Sequence, residues 1–241
     1  MKNQGYVQKQ GEVKLLALDT STEACSVALY INNERLILDE VCPQQHSKRI
    51  LPMIQQLLSQ AELSLQQLDG IVFGRGPGSF TGVRIGAGVC QGLGFGADLP
   101  VYGVSTLAAM AQAAYRLHGA TQVVSAIDAR MAEVYIAAYK LEISSNIMQA
   151  ITVERAVKPD VLTELGLQGN VAAVGTGWQT YYDQLQLKQA ATYYTDILYP
   201  SAQDMLTLAL PAFAAGDFIA AELAEPIYVR DEVTWQKLPG R

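Results

Sequence analysis

The sequence predicts an α/β fold in which one order of strands and helices occurs twice. Three observations predict it: short β-type segments precede each helical segment, apolar residues between them recur at helical spacing, and the second half returns to the order of the first. The order that occurs twice is β-β-β-α-β-α, and the two halves share this topology without sharing amino-acid sequence. The chain is therefore expected to form two lobes of one plan.

The first lobe begins with a predicted three-stranded meander, whose strands are placed at 14–19, 26–31 and 35–41. A helix is predicted to begin at Ser47, and its apolar positions are Ile50, Met53, Ile54, Leu57 and Leu58. A strand, a glycine-rich helix and a further strand follow, the two strands at 71–73 and 101–104. This completes one copy of the repeated order.

The second lobe follows a crossing helix predicted at 106–117, and a late helix at 202–215 is expected to pack back on the first lobe. The predicted strands of this lobe are 123–128, 133–139, 147–153 and 171–175. Its helices are predicted near 160–165 and after Trp178. Two such units in one chain form the plan of the actin-like, Hsp70-type (ASKHA) nucleotide-binding fold.

The domain organisation follows from this order. The expected parts are a flexible leader at 1–12, a first lobe at 13–105 plus about 201–220, a smaller second lobe at 106–200 and a C-terminal tail at 221–241. The fold by itself does not decide the function, because one fold hosts many activities.

Composition limits the classes of function. The chain has 241 residues, of which 50% are hydrophobic and only 17% charged, so part of its surface is expected to meet a partner. A formal net charge of −6 opposes non-specific attachment to nucleic acid or to an anionic membrane. The apolar run at 85–97 is too short for a membrane span. An odd number of cysteines without a Cys-x-x-Cys spacing favours a reducing, cytoplasmic setting.

A strand leads into the glycine-rich turn at 74–82, the most informative segment. Such a turn often cradles a phosphate at a helix N-terminus, but Val83 and Arg84 follow Gly82 where a phosphate loop needs Lys and Ser or Thr. An anion site here would use Arg75, Gly76, Gly78, Ser79 and Thr81. The alternative is a turn that only shapes a backbone crossing. Ser79 and Thr81 are also alternative N-caps of the helix.

Glycines in the helix that follows form two rows. One row is Gly82, Gly86, Cys90 and Gly94, and the other is Gly88, Gly92 and Gly96. The rows lie about 200° apart, so the helix can approach two neighbours closely. Its glycines cost about 5 kcal/mol of intrinsic helix stability, which packing must offset. The neighbours are expected to be the parent sheet and either the helix that begins at Ser47 or another subunit.

Several segments together resemble one family. They are 16–28, 46–52, 74–86, 126–131, 224–230 and 237–240, and the resemblance runs from about Val13 to the end of the chain. These segments resemble the TsaB (YeaZ) family. The resemblance implies a non-catalytic subunit that pairs with the catalytic paralogue TsaD and, with the ATPase TsaE, supports threonylcarbamoyl transfer to the tRNA adenosine beside the anticodon. It implies that tRNA is reached through the complex.

The resemblance also implies how the subunits meet. Family members pair through helices of the first lobe, and in this sequence the expected interface is Ile50, Met53, Leu57, Gly86 and Gly88. A homodimer through the same apolar helices is expected when the partner is absent.

The nucleotide site of the actin-like fold is only partly present in the sequence. Asp19 and Asp128 stand at the two predicted hairpin tips, and Gly175 and Gly177 stand in the loop expected beneath an adenosine. Ser and Ala replace the glycines usual after such acidic residues, so two interpretations stay open: a degenerate nucleotide site or turn residues kept by the fold. No cofactor is expected on this chain alone, and ATP or ADP is expected only within the complex.

The sequence gives little support to other kinds of catalytic site. His46 and His118, the two histidines, lie far apart in sequence and lack the spacing of a zinc peptidase, which disfavours a metallopeptidase. Only His46 could serve Ser79 or Cys90 as a base, and the Gly-x-Ser-x-Gly elbow is absent. No catalytic residue is therefore predicted. The alternative functions are an independent actin-fold small-molecule kinase and, with less support, a metallopeptidase.

Overall fold

The computed structural model describes residues 12–161, 165–185, 187 and 190–230, and its elements form two α/β lobes. The strands of the first lobe are β1 (Lys14–Asp19), β2 (Ala24–Ile31), β3 (Glu34–Val41), β4 (Gly70–Gly76) and β5 (Val101–Ser105). Those of the second are β6 (Gln122–Arg130), β7 (Glu133–Glu142), β8 (Ile147–Ala150), β9 (Arg155–Val157), β10 (Val171–Val174) and β11 (Ala191–Tyr193). The helices are α1 (His46–Gln60), α2 (Phe80–Ala97), α3 (Thr106–His118), α4 (Thr176–Tyr181) and α5 (Ala202–Ala215).

Both sheets have the same strand order. The first sheet runs β3-β2-β1-β4-β5 and the second β8-β7-β6-β10-β11, and β9 pairs with β7 outside this order. In each lobe the first strand therefore lies at the centre, between its antiparallel hairpin partner and a parallel strand. In each sheet the hairpin strands pair antiparallel and the later strands pair parallel. The prediction of a duplicated plan is therefore confirmed by the topology.

The first sheet is covered on both faces. Leu16 and Leu18 pack under α1 and α2, while Leu15 and Ala17, their neighbours in β1, pack under α5. This alternation follows from the two-residue period of a strand, and it explains why β1 is apolar almost throughout. The helix predicted at 202–215 does pack back on the first lobe.

The second sheet is covered in the same way. Val123 contacts the cluster beneath α3, and Val124, next to it in β6, contacts the cluster that contains Trp178 of α4. The Trp178 indole N–H donates to the Val124 carbonyl at 3.1 Å. Helix α3 also packs against α5, and these two helices connect the lobes.

The second lobe differs from the prediction in three places. The strand predicted at 147–153 is β8, which ends at Ala150, and the short strand β9 that follows lies beyond the predicted range. A 3-10 turn at Pro159–Val161 stands where a helix was predicted near 160–165, and 162–164 lie outside the described residues. The short strand β11 was not predicted. The predicted leader at 1–12, apart from Glu12, and the end of the tail at 231–241 also lie outside the described residues.

The structure of α2 confirms that its glycines form two rows on different sides of the helix. A Cβ added to Gly82 would lie 2.1 Å from the Thr20 carbonyl oxygen, and one added to Gly94 would lie 2.8 Å from the Ala221 Cβ. Cβ atoms added to Gly88, Gly92 or Gly96 would meet nothing within 4 Å. The inner row therefore lies against the first lobe, and the outer row faces solvent. Ser79 is the N-cap, since its hydroxyl accepts from the Gly82 N–H.

None of the helices in the described ranges combines the length and the hydropathy needed to span a bilayer. The apolar helix α2 is instead half covered by its own lobe.

A matched pair of substitutions tests the two rows. Gly82→Ala is expected to lower the free energy of unfolding by about 1–3 kcal/mol, because its methyl group would overlap a backbone carbonyl. Gly92→Ala is expected to raise it by about 1 kcal/mol, because alanine favours the helix and the site is open. Urea unfolding followed by circular dichroism measures both. Equal effects of the two changes would contradict this account of α2.

Candidate functional site

The first hairpin tip, between β1 and β2, is closed rather than open. Asp19 is 1% exposed; its Oδ1 accepts hydrogen bonds from the Ser21 backbone N–H at 3.1 Å and the Ser21 hydroxyl at 2.9 Å. Its Oδ2 has no hydrogen-bond partner among the described residues. A Cβ at Gly74 would lie 1.8 Å from this oxygen, so glycine is required there for the carboxyl to be buried against β4.

Burial changes the acidity of this carboxyl. It raises the pKa of Asp19 from 3.8 to about 7, although the two hydrogen bonds from Ser21 act in the opposite direction. Asp19 therefore takes up a proton near neutral pH instead of presenting a fixed negative charge.

The N-terminus of α2 fills the space beside this tip. The Thr20 hydroxyl donates to the Gly82 carbonyl at 2.7 Å, and the Ser79 N–H donates to the Ser21 carbonyl at 2.7 Å. A Cβ at Gly78 would lie 2.3 Å from that same carbonyl oxygen. The glycine turn thus allows two backbones to cross at close range.

Two residues of the predicted anion loop are engaged within the chain. The Arg75 guanidinium contacts the Glu154 carboxylate of the second lobe at 3.4 Å, and its carbonyl accepts from the Ile227 N–H at 2.8 Å. The Ser79 N–H is engaged by the hairpin tip. Gly76 has a φ of +100°, which explains the choice of glycine by backbone conformation alone. A turn that shapes a backbone crossing accounts for these contacts.

The second hairpin tip is tied to the first by Arg130. The Arg130 guanidinium contacts Glu23 beside the first tip at 3.1 Å and Asp128 of its own tip at 3.5 Å. The Asp128 Oδ1 also accepts from the Arg130 N–H at 2.9 Å. A bound nucleotide in this fold would lie between the two tips, and here the chain's own arginine spans them.

Gly175 and Gly177 have a packing role. Gly175 has a φ of +102°, and a Cβ there would lie 2.2 Å from the Ala126 carbonyl oxygen. A Cβ at Gly177 would lie 2.8 Å from the Ala126 Cβ. The hydroxyl of Thr176 between them accepts from the Asp128 N–H at 3.1 Å. The structure therefore joins this loop to Asp128 but leaves Asp19 buried in the other lobe.

A C-terminal strap, 224–230, crosses between the lobes, and the sequence did not predict it. Its Ala224 carbonyl accepts from the Gln91 side chain at 2.8 Å, and its Tyr228 hydroxyl accepts from the Arg84 Nε at 2.7 Å. Arg230 at its end donates to the Ala129 carbonyl at 3.2 Å and pairs with Glu133. The strap thus joins α2 to the second hairpin.

The structure corrects the expected partner interface. Ile50, Met53 and Leu57 are 0, 3 and 1% exposed, because they pack on the sheet of their own lobe. Gly86 faces the Thr20 hydroxyl, and only Gly88 of the predicted set lies on an open surface. The outward sides of α1 and α2 form what we call the α1–α2 face. Its residues are Ser47, Lys48, Leu51, Pro52, Gln55, Gln56 and Ser59 of α1 and Thr81, Arg84, Gly88, Gly92, Phe95 and Gly96 of α2.

The α1–α2 face carries few charges for its size. Lys48 and Arg84 are its charged residues, and both are basic. Phe95 is 79% exposed and Leu51 is 49% exposed, beside three glycines that leave the helix backbone accessible. Exposed apolar side chains next to an accessible helix backbone are typical of a surface that another helix covers.

Comparison with known proteins identifies the family. A model of the family described as TsaD: tRNA N6-adenosine threonylcarbamoyltransferase matches residues 31–234. The tRNA threonylcarbamoyladenosine biosynthesis protein TsaB of Escherichia coli (strain K12) is 47% identical over 231 residues, covering 95% of this chain and 100% of that protein. The chain belongs to the TsaB family. The TsaB protein of Haemophilus influenzae is 49% identical over 233 residues, covering 94% of this chain and 98% of that protein.

Solved structures agree with this membership. YeaZ from Pseudomonas aeruginosa is 45% identical, with a TM-score of 0.84, and the alignment covers 90% of this chain and 99% of that one. A second Pseudomonas aeruginosa structure, described as similar to peptidase YEAZ, is 44% identical with a TM-score of 0.85 over 90% of this chain and 100% of that one. Membership of the TsaB family gives this chain a role in tRNA threonylcarbamoyladenosine biosynthesis.

A peptidase, which that description names, would need metal-binding or nucleophilic side chains. His46 begins α1, and His118 ends α3 and contacts Asp196 at 2.9 Å. Across the ranges described above, no three His, Cys, Asp or Glu side chains form a group that could hold a metal ion. Burial also raises the pKa of Cys25 to about 12 and raises that of Cys90, which keeps both thiols protonated.

The buried carboxyl of Asp19 gives a pH-dependent prediction. Because the pKa of Asp19 is raised to about 7 in the folded chain, the protonated form stabilises the fold below about pH 4, and this contribution is lost as the pH rises through about 7. Asp19→Asn is expected to remove this pH-dependent decrease in the free energy of unfolding, which amounts to at most about 4 kcal/mol. The measurement is urea unfolding of both proteins between pH 4.5 and 8. Parallel stability curves would show that Asp19 ionises normally.

Proposed function

We propose that this chain is a non-catalytic subunit that binds and activates the catalytic paralogue TsaD, with TsaE, for threonylcarbamoyl transfer to the tRNA adenosine beside the anticodon. The observation that carries the proposal is that other groups of the same chain engage both hairpin tips: the α2 backbone engages the first tip and the Arg130 side chain joins it to the second. A sparsely charged helical face on the same lobe supports it.

Three contacts within the chain disfavour catalysis by it. Asp19 is buried against Gly74, the α2 N-terminus occupies the space beside Thr20 and Ser21, and Arg130 joins the two tips. A nucleotide bound between the lobes would have to displace these contacts and ionise Asp19. We therefore propose that this chain alone holds no cofactor, and that ATP or ADP is bound only within the complex.

Docking of the partner is assigned to the α1–α2 face. Gly88, Gly92 and Gly96 leave the α2 backbone accessible, so a partner helix can approach more closely than larger side chains would allow. Phe95 and Leu51 supply apolar area that is exposed in the single chain. A related subunit with similar helices would complete a helical bundle there, and the chain would meet tRNA through that complex in the cytoplasm.

The same face accounts for self-association. An apolar patch that awaits a partner also binds a second copy of itself when the partner is missing. The homodimer and the heterodimer are therefore proposed to compete for one surface.

Substitution of Gly88 tests the docking proposal. Gly88→Trp is expected to abolish co-purification with TsaD, because the indole would stand on the surface that a partner helix must approach. The matched control is Lys140→Trp, which adds the same side chain at an exposed position of β7 in the other lobe. Co-purification and analytical ultracentrifugation measure heterodimer and homodimer.

Both outcomes are informative when circular dichroism shows that the variants are folded. Loss of pairing for Gly88→Trp together with normal pairing for Lys140→Trp supports the proposal. Normal pairing for Gly88→Trp would place the partner elsewhere and overturn the assignment of the α1–α2 face.

A further inference from the structure

Arg84 differs in its partners from five other arginines of the described residues. Five arginines pair with carboxylates, and they are Arg49, Arg75, Arg116, Arg130 and Arg230. Arg84 forms no ion pair with any carboxylate in the part of the chain that the structure describes. Its partners are aromatic: its Cζ lies 3.5 Å from the centroid of the Phe80 ring, and its Nε donates to the Tyr228 hydroxyl at 2.7 Å.

These contacts fix the orientation of the guanidinium while leaving part of it unused. The Phe80 ring lies against one face of the guanidinium, and Nε donates to the hydroxyl of the strap residue Tyr228. Among the described residues, neither of the terminal nitrogens Nη1 and Nη2 has a hydrogen-bond or ion-pair partner, and these two nitrogens form the donor edge. A guanidinium held in this way loses little conformational freedom when it binds, and its two terminal N–H groups match the two oxygens of a carboxylate.

The position of Arg84 places this donor edge on the α1–α2 face. Arg84 lies one helical turn before Gly88, on the same side of α2. When a partner helix covers that face, the guanidinium loses water. Burying an unpaired charge costs free energy. The partner must therefore place an anion beside the Arg84 guanidinium or leave this group at the solvent-exposed edge of the interface.

We propose that Arg84 is the specificity-determining contact of the α1–α2 face and that it receives an Asp or Glu carboxylate of the catalytic partner subunit. This inference rests on the proposed function and adds the chemistry of the recognition. Charge complementarity supports an acidic partner surface, because Lys48 and Arg84 are the charged groups of the face. A nucleic-acid strand would need a longer basic stripe, and the net charge of −6 opposes it.

Affinity for purified TsaD at 50 and 300 mM salt tests the proposal, with the full chain and its Arg84→Ala, Arg84→Glu and Arg84→Lys variants. Arg84→Ala is expected to raise the Kd at least about tenfold and to reduce its salt dependence. Arg84→Glu is expected to weaken binding further, and Arg84→Lys to restore part of it, since lysine keeps the charge without the planar fork.

The matched control is Arg35→Ala. Arg35 is also exposed and also lies over an aromatic ring, that of Tyr30 at 5.4 Å, but it stands on β3 and donates to Thr207 of α5. Its removal is expected to leave the Kd unchanged. Thermal unfolding of each variant confirms that the lobes are intact.

Four results would overturn the proposal or its basis. If Gly88→Trp abolishes binding while Arg84→Ala and Arg84→Glu change nothing, the inference on Arg84 is wrong and the proposed function stands. If the unaltered chain does not bind TsaD, the proposed function itself fails. If Arg84→Ala weakens only tRNA binding by the assembled complex, the anion is a phosphate. If Asp231→Asn with Glu232→Gln weakens binding as much as Arg84→Ala, the carboxylate belongs to this chain.

Discussion

The packing of α2 on the first lobe depends on the contact between the first hairpin tip and the N-terminal end of this helix. Thr20 and Ser21 each form one hydrogen bond with the α2 segment, at 2.7 Å in both cases. The approach is possible because Gly78 and Gly82 carry no side chain where Cβ atoms would overlap carbonyl oxygens. The inner row of glycine is therefore a requirement of packing.

Two consequences follow from this contact. The hairpin tip that would hold phosphates in a nucleotide-binding relative is engaged by the chain itself, and Asp19 behind it is buried and protonates near neutral pH. At the same time, fixing the inner row of α2 against the lobe turns the outer row, Gly88, Gly92 and Gly96, toward solvent. The engagement of the hairpin tip and the exposure of the outer row thus have one structural cause.

The lobes are held together by arginines from different parts of the chain. Arg116 of α3 forms two hydrogen bonds, each 2.8 Å, with the fully buried Asp204 of α5. Arg75 reaches Glu154, and Arg130 reaches Glu23. With the contacts of Arg230 in the strap, these ion pairs connect the two lobes.

Local patterns in the sequence predicted most of the fold. Strand β1 and helix α5 were placed at their observed bounds, because a short apolar run before a polar turn indicates a buried strand and helical periodicity over a longer segment indicates a helix. The same periodicity identified Ile50, Met53 and Leu57, but it could not say whether their own sheet or a partner covers them, and their own sheet does. The Arg84–Tyr228 contact joins residues 144 positions apart, which no local pattern encodes. The motifs at 126–131 and 224–230 were the only sequence signals for the Arg130 bridge and the strap.

The most direct test is reconstitution of tRNA threonylcarbamoyladenosine synthesis with TsaD and TsaE, in which this chain is present, omitted or replaced by Asp19→Asn/Asp128→Asn. Omission is expected to abolish modification, and the double variant is expected to support modification at the rate of the unaltered chain. Loss of modification with a folded double variant would show that the carboxyls take part in chemistry, and undiminished modification without the chain would remove its role altogether.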